Sequence, residues 1–329
     1  MKRPCWTICH SSGILALPCA PASAAHRELI EGAPPMDNIH IQRLLNARQL
    51  DEVVELQKTY WGQDAGNLVP RHMLYSLALH GGHVIGAYAD EKLVGFVMGF
   101  IGTDSDIDAQ TARPAMADLL IMSKRMVVLQ GYRGRNIGYR LKLAQRDIAL
   151  KQAIRLVTWT FDPLLAANAH LNIRKLGAVA QRFSVNYFGL AEGDQLRSDR
   201  LVVEWWVTQR RVETRVRGEG SQLNLQRYLE ARAPIVNRAR QSGKWLAPRA
   251  MTAVAGSTFA LVEIPGDFIQ LEASESGLAD DWRGHIREVF TQIFAAGYII
   301  TDFVSDFFEG RRRSFYLLSH HFDETHRKN

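Results

Sequence analysis

Cysteine is scarce in this chain of 329 residues. The three cysteines, Cys5, Cys9 and Cys19, all lie within the first 35 residues. The remaining sequence therefore has no thiol for a disulfide, a thiolate metal site or a cysteine nucleophile, and we expect no metal site. Long apolar runs are also missing, because no segment approaches the roughly 18 to 20 apolar residues of a membrane span. We expect a cytoplasmic protein without a membrane partner.

Residues 1–35 allow two interpretations. Lys2 and Arg3 precede an apolar patch, and Ala22-Ser23-Ala24 has the small-x-small form of a secretory cleavage site. The apolar run is short, however, and polar residues interrupt it. We favour the second interpretation, in which Met36 is the true start and residues 1–35 are upstream sequence or a disordered leader.

The net charge of +6 is distributed unevenly. The stretch from Lys124 to Arg155 has nine basic residues and one acid, and residues 207–250 have ten basic residues and three acids. Such patches indicate a polyanionic partner, either a nucleic acid or a phosphorylated cofactor. A solvated basic face without a ligand is the alternative for the second patch.

The hydrophobic pattern predicts one mixed sheet with helices on its faces, an α/β fold of the α+β-like kind. A helix is predicted from Ile39 to Trp61, and another follows residue 136 to about 153. A third helix is predicted from Ala166 to Leu176, where Gly177 stops it. The predicted strands are 83–89, 93–101, 119–129, 155–161, 183–188 and 200–207.

A change of composition near 207–220 predicts a domain boundary. We therefore expect a first domain at 36–206 and a basic linker with a smaller α+β domain at 207–329. For this second part the pattern predicts a basic helix at 222–241, a strand at 258–264, a helix at about 280–296 and a hairpin of 298–304 with 313–319.

The segment QGYRGRNIGYRLK at 130–142 places three glycines among basic residues at the start of a helix. Free backbone N–H groups and the helix dipole favour an anion at such a position. A Walker-type loop is excluded because no Gly-Lys-Ser/Thr follows. A dinucleotide fingerprint fits poorly because the first Gly-x-Gly is missing. We expect a phosphate group to bind here.

With the strand before it, this segment resembles the acyl-CoA pyrophosphate loop of the GNAT superfamily of N-acyltransferases. Arg133, Asn136 and Gly138 occupy the places of that pattern, with Asn136 in place of the usual middle glycine. The helix AANAHLNIRKLGA resembles the next motif of the superfamily. The strings WTFDPLLAANAHLNIRKLGA, NYFG, SDRLVVEWW, ALVEIPGDF and DDWRGHIREVF look like one poorly characterised branch with a C-terminal extension.

The resemblance implies a GNAT acyl-CoA N-acyltransferase fold and acetyl-CoA, or another acyl-CoA, as co-substrate. It implies that the strands 120–128 and 156–161 splay apart and that a bulge at 123–125 helps to open them. The residues expected to hold the co-substrate are Met126, Val127, Val128, Arg133, Gly134, Arg135, Asn136, Ile137, Gly138, Tyr139, Asn168 and Asn172. The two asparagines are chosen because they lie one helical turn apart; ordinary surface positions are the alternative for them.

The expected chemistry is direct attack of an amine on the thioester in a ternary complex. In many GNAT enzymes a tyrosine before the glycine of the second motif is the general acid, but this position is Ile173 here. We predict Tyr187 as the acid and Asp162 as the base. His170 and Glu204 are reserves. Capping of a turn by Asp162 and sheet packing of Tyr187 are the structural alternatives.

In the C-terminal part, Trp282, Arg283, His285 and Arg287 are predicted to open a helix. They could hold an acidic substrate or contact the first domain, although packing and solvation are favoured. The predicted function is transfer of an acyl group from acyl-CoA to a small amine or peptide acceptor, and a homodimer is left open. The alternative is a catalytically inactive module that binds acyl-CoA or nucleic acid. Of these two ligands, we favour acyl-CoA.

Overall fold

The computed structural model describes residues 38–64, 68–103, 119–189, 195–219, 223–252, 254 and 256–320. The predicted leader lies outside these residues. The described chain is a mixed α/β structure built on a ten-stranded, mostly antiparallel sheet with an added C-terminal region, which confirms the predicted fold class. Among the described residues, no helix is both long and apolar enough to cross a bilayer.

The strands are short to medium in length. They are β1 (Ile39–Arg43), β2 (His83–Ala89), β3 (Lys92–Thr103), β4 (Leu119–Val128), β5 (Leu156–Phe161), β6 (Val179–Ser184), β7 (Arg200–Trp206), β8 (Arg240–Ser242), β9 (Trp245–Ala247), β10 (Phe259–Ile264), β11 (Ile299–Phe308) and β12 (Arg311–Ser319).

The helices number eight in the described residues. They are α1 (Ala47–Trp61), α2 (Arg71–Leu79), α3 (Ile137–Lys151), α4, which is an α-helix at Ala166–Ala169 and a π-helix at His170–Lys175, α5 (Arg210–Val216), α6 (Leu225–Glu230), α7 (Phe268–Ser274) and α8 (Ser276–Ala295). A short 3₁₀ turn, Gln130–Tyr132, comes before α3.

The sheet has the strand order β1-β2-β3-β4-β5-β7-β6-β11-β12-β10, and β8 and β9 form a separate hairpin. Strands β4 and β5 run parallel, whereas the other neighbours in the large sheet are antiparallel. The chain reaches β5 from β4 through α3, as a parallel pair requires. The start of α3 is thereby placed beside the end of β4.

Helices cover both faces of the first half of the sheet. On one face α1 buries Leu50 and Val53, which belong to the same cluster as Phe96 of β3. On the other face α3 buries Ile137 and Leu141. Because each helix has apolar residues at helical spacing, each packs one stripe on the sheet and leaves its other side exposed.

The C-terminal part extends the sheet, because Ala180 of β6 pairs with Ile300 of β11. A buried ion cluster holds the junction. The carboxylate of Asp302 accepts hydrogen bonds from Arg174 of α4 at 2.6 Å, Arg215 of α5 at 3.3 Å and Tyr228 of α6 at 2.7 Å. Two basic residues of the junction thus neutralise a buried acid rather than face solvent. The domain boundary near 207–220 stays a prediction.

Two predicted elements of the first half were wrong in their bounds. Ile39–Arg43 is a strand that pairs with β2, and the helix begins only at Ala47, capped by the side chain of Asn46. The strand predicted at 183–188 is β6, which ends at Ser184. Tyr187 therefore lies in the turn after the strand, where Asn186 takes a φ of 48°.

Two predicted helices of the second half also need correction. The basic helix of 222–241 is limited to Leu225–Glu230, because Arg232 has a φ of 59° and Pro234 follows. The long helix begins at Ser276, so Trp282 and Arg283 lie in its interior instead of opening it. The predicted strand at 258–264 and the final hairpin are confirmed.

Candidate functional site

Strands β4 and β5 pair over only three residues each. Leu120–Met122 pair with Leu156–Thr158, and the register between these two described strands goes no further. We call this divergence the fork. On the other side of β4, Met98 pairs with Arg125 and Gly99 with Ser123, so Lys124 is an extra, bulged residue. The splay and the bulge expected for this region are both present.

The loop before α3 has the backbone shape that an anion site needs. Gly134 has a φ of 77°, and Asn136 is left-handed at φ 59° and ψ 13°, a region that asparagine tolerates. The first bond of the helix runs from the Arg140 N–H to the Asn136 carbonyl at 3.0 Å. The N–H groups of Ile137 and Gly138 precede that bond and lie at the positive end of the helix dipole.

The space above this loop is open. A Cβ atom added at Gly131 or Gly134 would meet no atom within 4 Å. At Gly138, a Cβ atom would come 3.5 Å from Leu171 of α4 and from Met126 of β4, an ordinary contact distance. The loop therefore has room for a ligand on one side and close packing against β4 and α4 on the other.

Three cationic side chains surround the loop. Arg133 donates from Nε to the Val128 carbonyl at 3.2 Å, and the Arg135 guanidinium lies 5.6 Å from the centre of the Tyr132 ring. Lys175, at the end of α4, donates to Oδ1 of Asn136 at 2.6 Å. Charges from the loop and from α4 thus meet at the start of α3, as recognition of a diphosphate requires.

A buried amine lies beneath the fork. Nζ of Lys142, on α3, donates to the Ser123 hydroxyl at 2.8 Å and to Gln145 at 3.1 Å. It also lies 3.5 Å from the centre of the Trp159 ring of β5. Burial lowers the pKa of Lys142 well below its usual value. Lys142 therefore contacts both strands of the fork next to their last paired residues.

The polar chain continues from Lys142 to β2. Gln145 makes a 2.6 Å hydrogen bond with Nε2 of His83, and His83 is fully buried. Burial is the largest cause that lowers the pKa of His83, to about 3. The imidazole is therefore neutral at neutral pH, and it forms a hydrogen bond with Gln145.

Aromatic and cationic side chains also lie near the bulge. The Arg125 guanidinium lies 4.6 Å from the centre of the Trp61 ring, at the end of α1. Lys124 lies 6.0 Å from the ring of Phe188, which stacks edge-on with Tyr187 at 4.9 Å. Tyr187 is partly exposed. The predicted acid is therefore placed in a turn that reaches the bulge of β4.

Asp162 is buried at the end of β5 and already has two partners. Oδ1 accepts the Leu164 N–H at 2.9 Å, and Oδ2 accepts a bond from Arg283 of α8 at 3.0 Å. Arg283 also binds Glu272 at 3.1 Å. This arrangement favours a structural contribution from Asp162. Its assignment as a base stays a prediction.

The remaining residues predicted for the site lie on several different elements of the fold. Met126 contacts the start of α3, and Val127 is buried against α1. Asn172 is buried on α4 and Asn168 is half-buried there. The roles predicted for these residues and for Tyr139 stay predictions. Among the reserves and C-terminal residues, Glu204 accepts from Trp206 at 3.0 Å, Arg287 holds Asp199 at 2.6 Å, and Trp282 is buried.

Sequence reasoning missed the residues that complete the fork. The interruption of the apolar pattern by Ser123-Lys124-Arg125 signalled the bulge but not its partners. Lys142 lies on the buried side of an amphipathic helix, where lysine is rare. Its position in the apolar pattern was the sequence signal that could have indicated a buried amine. Trp61 was assigned only to the end of its helix. Among the described residues, no group of three or more His, Cys, Asp or Glu side chains could hold a metal ion.

Comparisons with known proteins give one match to a family model. Residues 50–177 match the Acetyltransferase (GNAT) family. None of the curated proteins matches the chain.

Solved structures that are similar include Arabidopsis thaliana Naa50 in complex with a bisubstrate analogue, at 16% identity and a TM-score of 0.39, over 51% of this chain and 97% of that one. The ribosomal-protein-S18-alanine N-acetyltransferase from Escherichia coli is 13% identical with a TM-score of 0.39, over 52% and 95%. Arabidopsis thaliana NAA60 in complex with acetyl-CoA is 15% identical with a TM-score of 0.42, over 52% and 99%.

Proposed function

We propose, from the premise that residues 50–177 form a domain of the GNAT acetyltransferase family, that the protein transfers an acyl group from acyl-CoA to an amine. Acetyl-CoA is the proposed donor. The acceptor class is a small-molecule amine or the amine of a peptide. The observation that carries the proposal is the combination of an open, cationic loop at the start of α3 with the fork beside it.

The loop is proposed to hold the diphosphate of the donor. The N–H groups of Ile137 and Gly138 and the cations Arg133, Arg135 and Lys175 supply hydrogen bonds and charge there. Beyond the fork, the backbone of Met126–Val128 has no strand partner on the β5 side among the residues that the structure describes. An extended amide chain such as pantetheine can pair with that edge, which would bring the thioester close to the bulge at Lys124.

The acceptor is proposed to approach from the face that carries Trp61 and Tyr187. Its neutral amine attacks the thioester carbonyl, the C–S bond breaks, and the thiolate leaves with the electron pair. Tyr187 is our candidate for the acid that protonates this thiolate, because its turn reaches the bulge through Phe188 and Lys124. Ile173, in the position of the usual acid, is fully buried and has no proton to donate, so it cannot act as the acid.

Asp162 stays our candidate base, with a specific test. A carboxylate has several lone pairs, so Asp162 can accept a proton even while Arg283 and Leu164 bind it. The contact with Arg283 also gives Asp162 a structural role that does not depend on catalysis. If Asp162→Asn reduces turnover more than donor binding, the base assignment is supported. Equal loss of both would mark the residue as structural.

The proposal is tested with the full chain, acetyl-CoA and a panel of amines that contains polyamines, amino acids and peptides with free N-termini. Mass spectrometry of the acylated amine is the suitable readout, because Cys5, Cys9 and Cys19 would react in a thiol-release assay. Acylation of at least one amine above the uncatalysed rate supports the transferase.

Binding of CoA without turnover of any amine would favour an inactive acyl-CoA module. Salt-sensitive retention on a polyanion that CoA does not displace would favour nucleic acid binding instead. Absence of CoA binding would refute the proposal altogether.

A further inference from the structure

A cavity of about 680 Å³ lies between α4 and the C-terminal part of the chain. Ala166, Ala167 and His170 of α4 form one wall, and the turn between β8 and β9 with Trp245 forms another. The start of β12 closes a third side through Arg312. A volume of this size is typical of sites for small molecules. The cavity does not share the residues of the loop before α3.

The polar groups around this cavity are mostly hydrogen-bond donors. Among the described residues, the exposed guanidinium of Arg312 has no carboxylate partner. The buried indole N–H of Trp245 has no acceptor in the described part of the chain. Lys244 lies 5.1 Å from the centre of the Trp245 ring, and Arg311 also lines the cavity. The three cationic side chains, Lys244, Arg311 and Arg312, are suited to an anionic ligand.

The lining of the cavity carries little negative charge. Asp267 is the carboxylate that lines the cavity among the described residues, and its Oδ1 accepts the Gln270 N–H at 3.0 Å as the cap of α7. The hydroxyls of Ser305 and Ser314 bind each other at 2.8 Å. The positive charge of three basic side chains is therefore only partly compensated within the cavity.

The rest of the lining is apolar. Ala166 and Ala167 face the cavity from α4, and Leu246, Pro265 and Leu271 face it from the C-terminal part. Apolar walls bind a hydrocarbon body, whereas donors at the rim bind a charged end. We propose that this cavity binds a small carboxylic acid that has an apolar body, with Arg312 as the residue that recognises the carboxylate.

The cavity is distinct from the proposed acyl-CoA site. Leu171 and Lys175 of α4 contact Gly138 and Asn136 of the loop, whereas Ala166 and His170 line the cavity. The two sites thus use different residues of the same helix. An acid in the cavity is therefore expected to bind in the presence of saturating CoA.

His170 provides a spectroscopic reporter of the site. Desolvation is the largest cause that lowers the pKa of His170, followed by the positive charges of Lys175, Arg174 and Arg312, while Asp302 raises it. A carboxylate bound beside Arg312 would oppose these charges. Binding of an acid is therefore expected to raise the pKa of His170, and binding of a neutral amide is not.

The test uses phenylacetate, 3-phenylpropanoate and 4-phenylbutanoate with the amide of each acid as its control. Calorimetry with the full chain and saturating CoA measures affinity, and NMR titration follows His170. We expect at least one acid to bind about tenfold or more tightly than its amide, since a charge-assisted hydrogen bond is lost. Arg312→Gln should remove this preference, whereas Arg210→Gln, another exposed arginine, should keep it.

Three results would overturn the inference. The first is that no acid binds more tightly than its amide, whether both bind equally or neither binds. The second is that CoA displaces the acid. The third is that Arg312→Gln still binds the acid more tightly than the amide. None of them depends on amine acylation, so failure of this inference is distinguishable from failure of the proposed transferase.

Discussion

Replacing Lys142 by methionine should change how the stability of the protein depends on pH. The side chain is 2% exposed, and its hydrogen-bond partners are the neutral groups of Ser123 and Gln145. Burial without a carboxylate lowers its pKa well below the usual value. In the unfolded chain the pKa returns to about 10.4.

The direction of this pH dependence follows from the number of protons that the folded and unfolded states bind. At any pH between the two pKa values, the unfolded chain holds one more proton at Lys142 than the folded chain. The free energy of unfolding then rises with pH by about 1.4 kcal/mol per unit. The folded protein should therefore gain stability from this group as the pH rises towards about 10.4. Lys142→Met lacks this gain.

The assay is urea unfolding followed by tryptophan fluorescence at several pH values. Relative to Lys142→Met, the wild-type protein should become more stable as the pH rises towards about 10, by up to about 1.4 kcal/mol per pH unit. Lys151→Met, an exposed lysine of the same helix, should run parallel to the wild type. Parallel curves for Lys142→Met and the wild type would show that the amine is charged in the folded state, and would refute this description of the fork.

Three further predictions concern the surroundings of the fork. Because burial lowers the pKa of His83 to about 3, stability should fall as the pH drops from about 6.5 towards 3, and His83→Gln should flatten that loss in acid unfolding curves. Arg283→Met should cost about 3 kcal/mol or more, and a double-mutant cycle with Asp162→Asn should show coupling in urea unfolding; additive effects would contradict the ion pair. Tyr187→Phe should lower kcat by about 10²-fold with an unchanged Kd for acetyl-CoA, and an unchanged kcat would remove it as the acid.

Local sequence patterns predicted the elements that carry the site. The apolar hairpin of β2 and β3, the strand β4 and the helix α3 were recognisable because their periodicity is strong and their ends are marked by Asp90 and by the glycines of the loop. Asn136 replaces the usual middle glycine of the pattern and still takes a left-handed conformation, which an asparagine side chain tolerates.

The remaining features depend on contacts between distant residues. Nothing local to Asp302 shows that Arg174 and Arg215 converge on it from other helices. The basic segment at 207–250 therefore suggested a polyanion, although some of its charge holds the junction together. In the same way, the sequence around Asp162 does not show that Arg283, 121 residues away, binds its carboxylate.

The central claim is that the loop before α3 holds the diphosphate of CoA. Its most direct test compares the binding of CoA and of pantetheine, which lacks the diphosphate, to the wild type, Gly138→Ala and Gly138→Asp. A Cβ atom at Gly138 meets its neighbours at 3.5 Å, so the alanine variant should bind both molecules almost as the wild type does.

Gly138→Asp adds a negative charge at the start of α3, next to the N–H groups that are proposed to hold the phosphates. Calorimetry should show that its affinity for CoA drops to the level of pantetheine, while its affinity for pantetheine stays at the wild-type value, because only the diphosphate is repelled. Wild-type affinity of Gly138→Asp for CoA would contradict the claim.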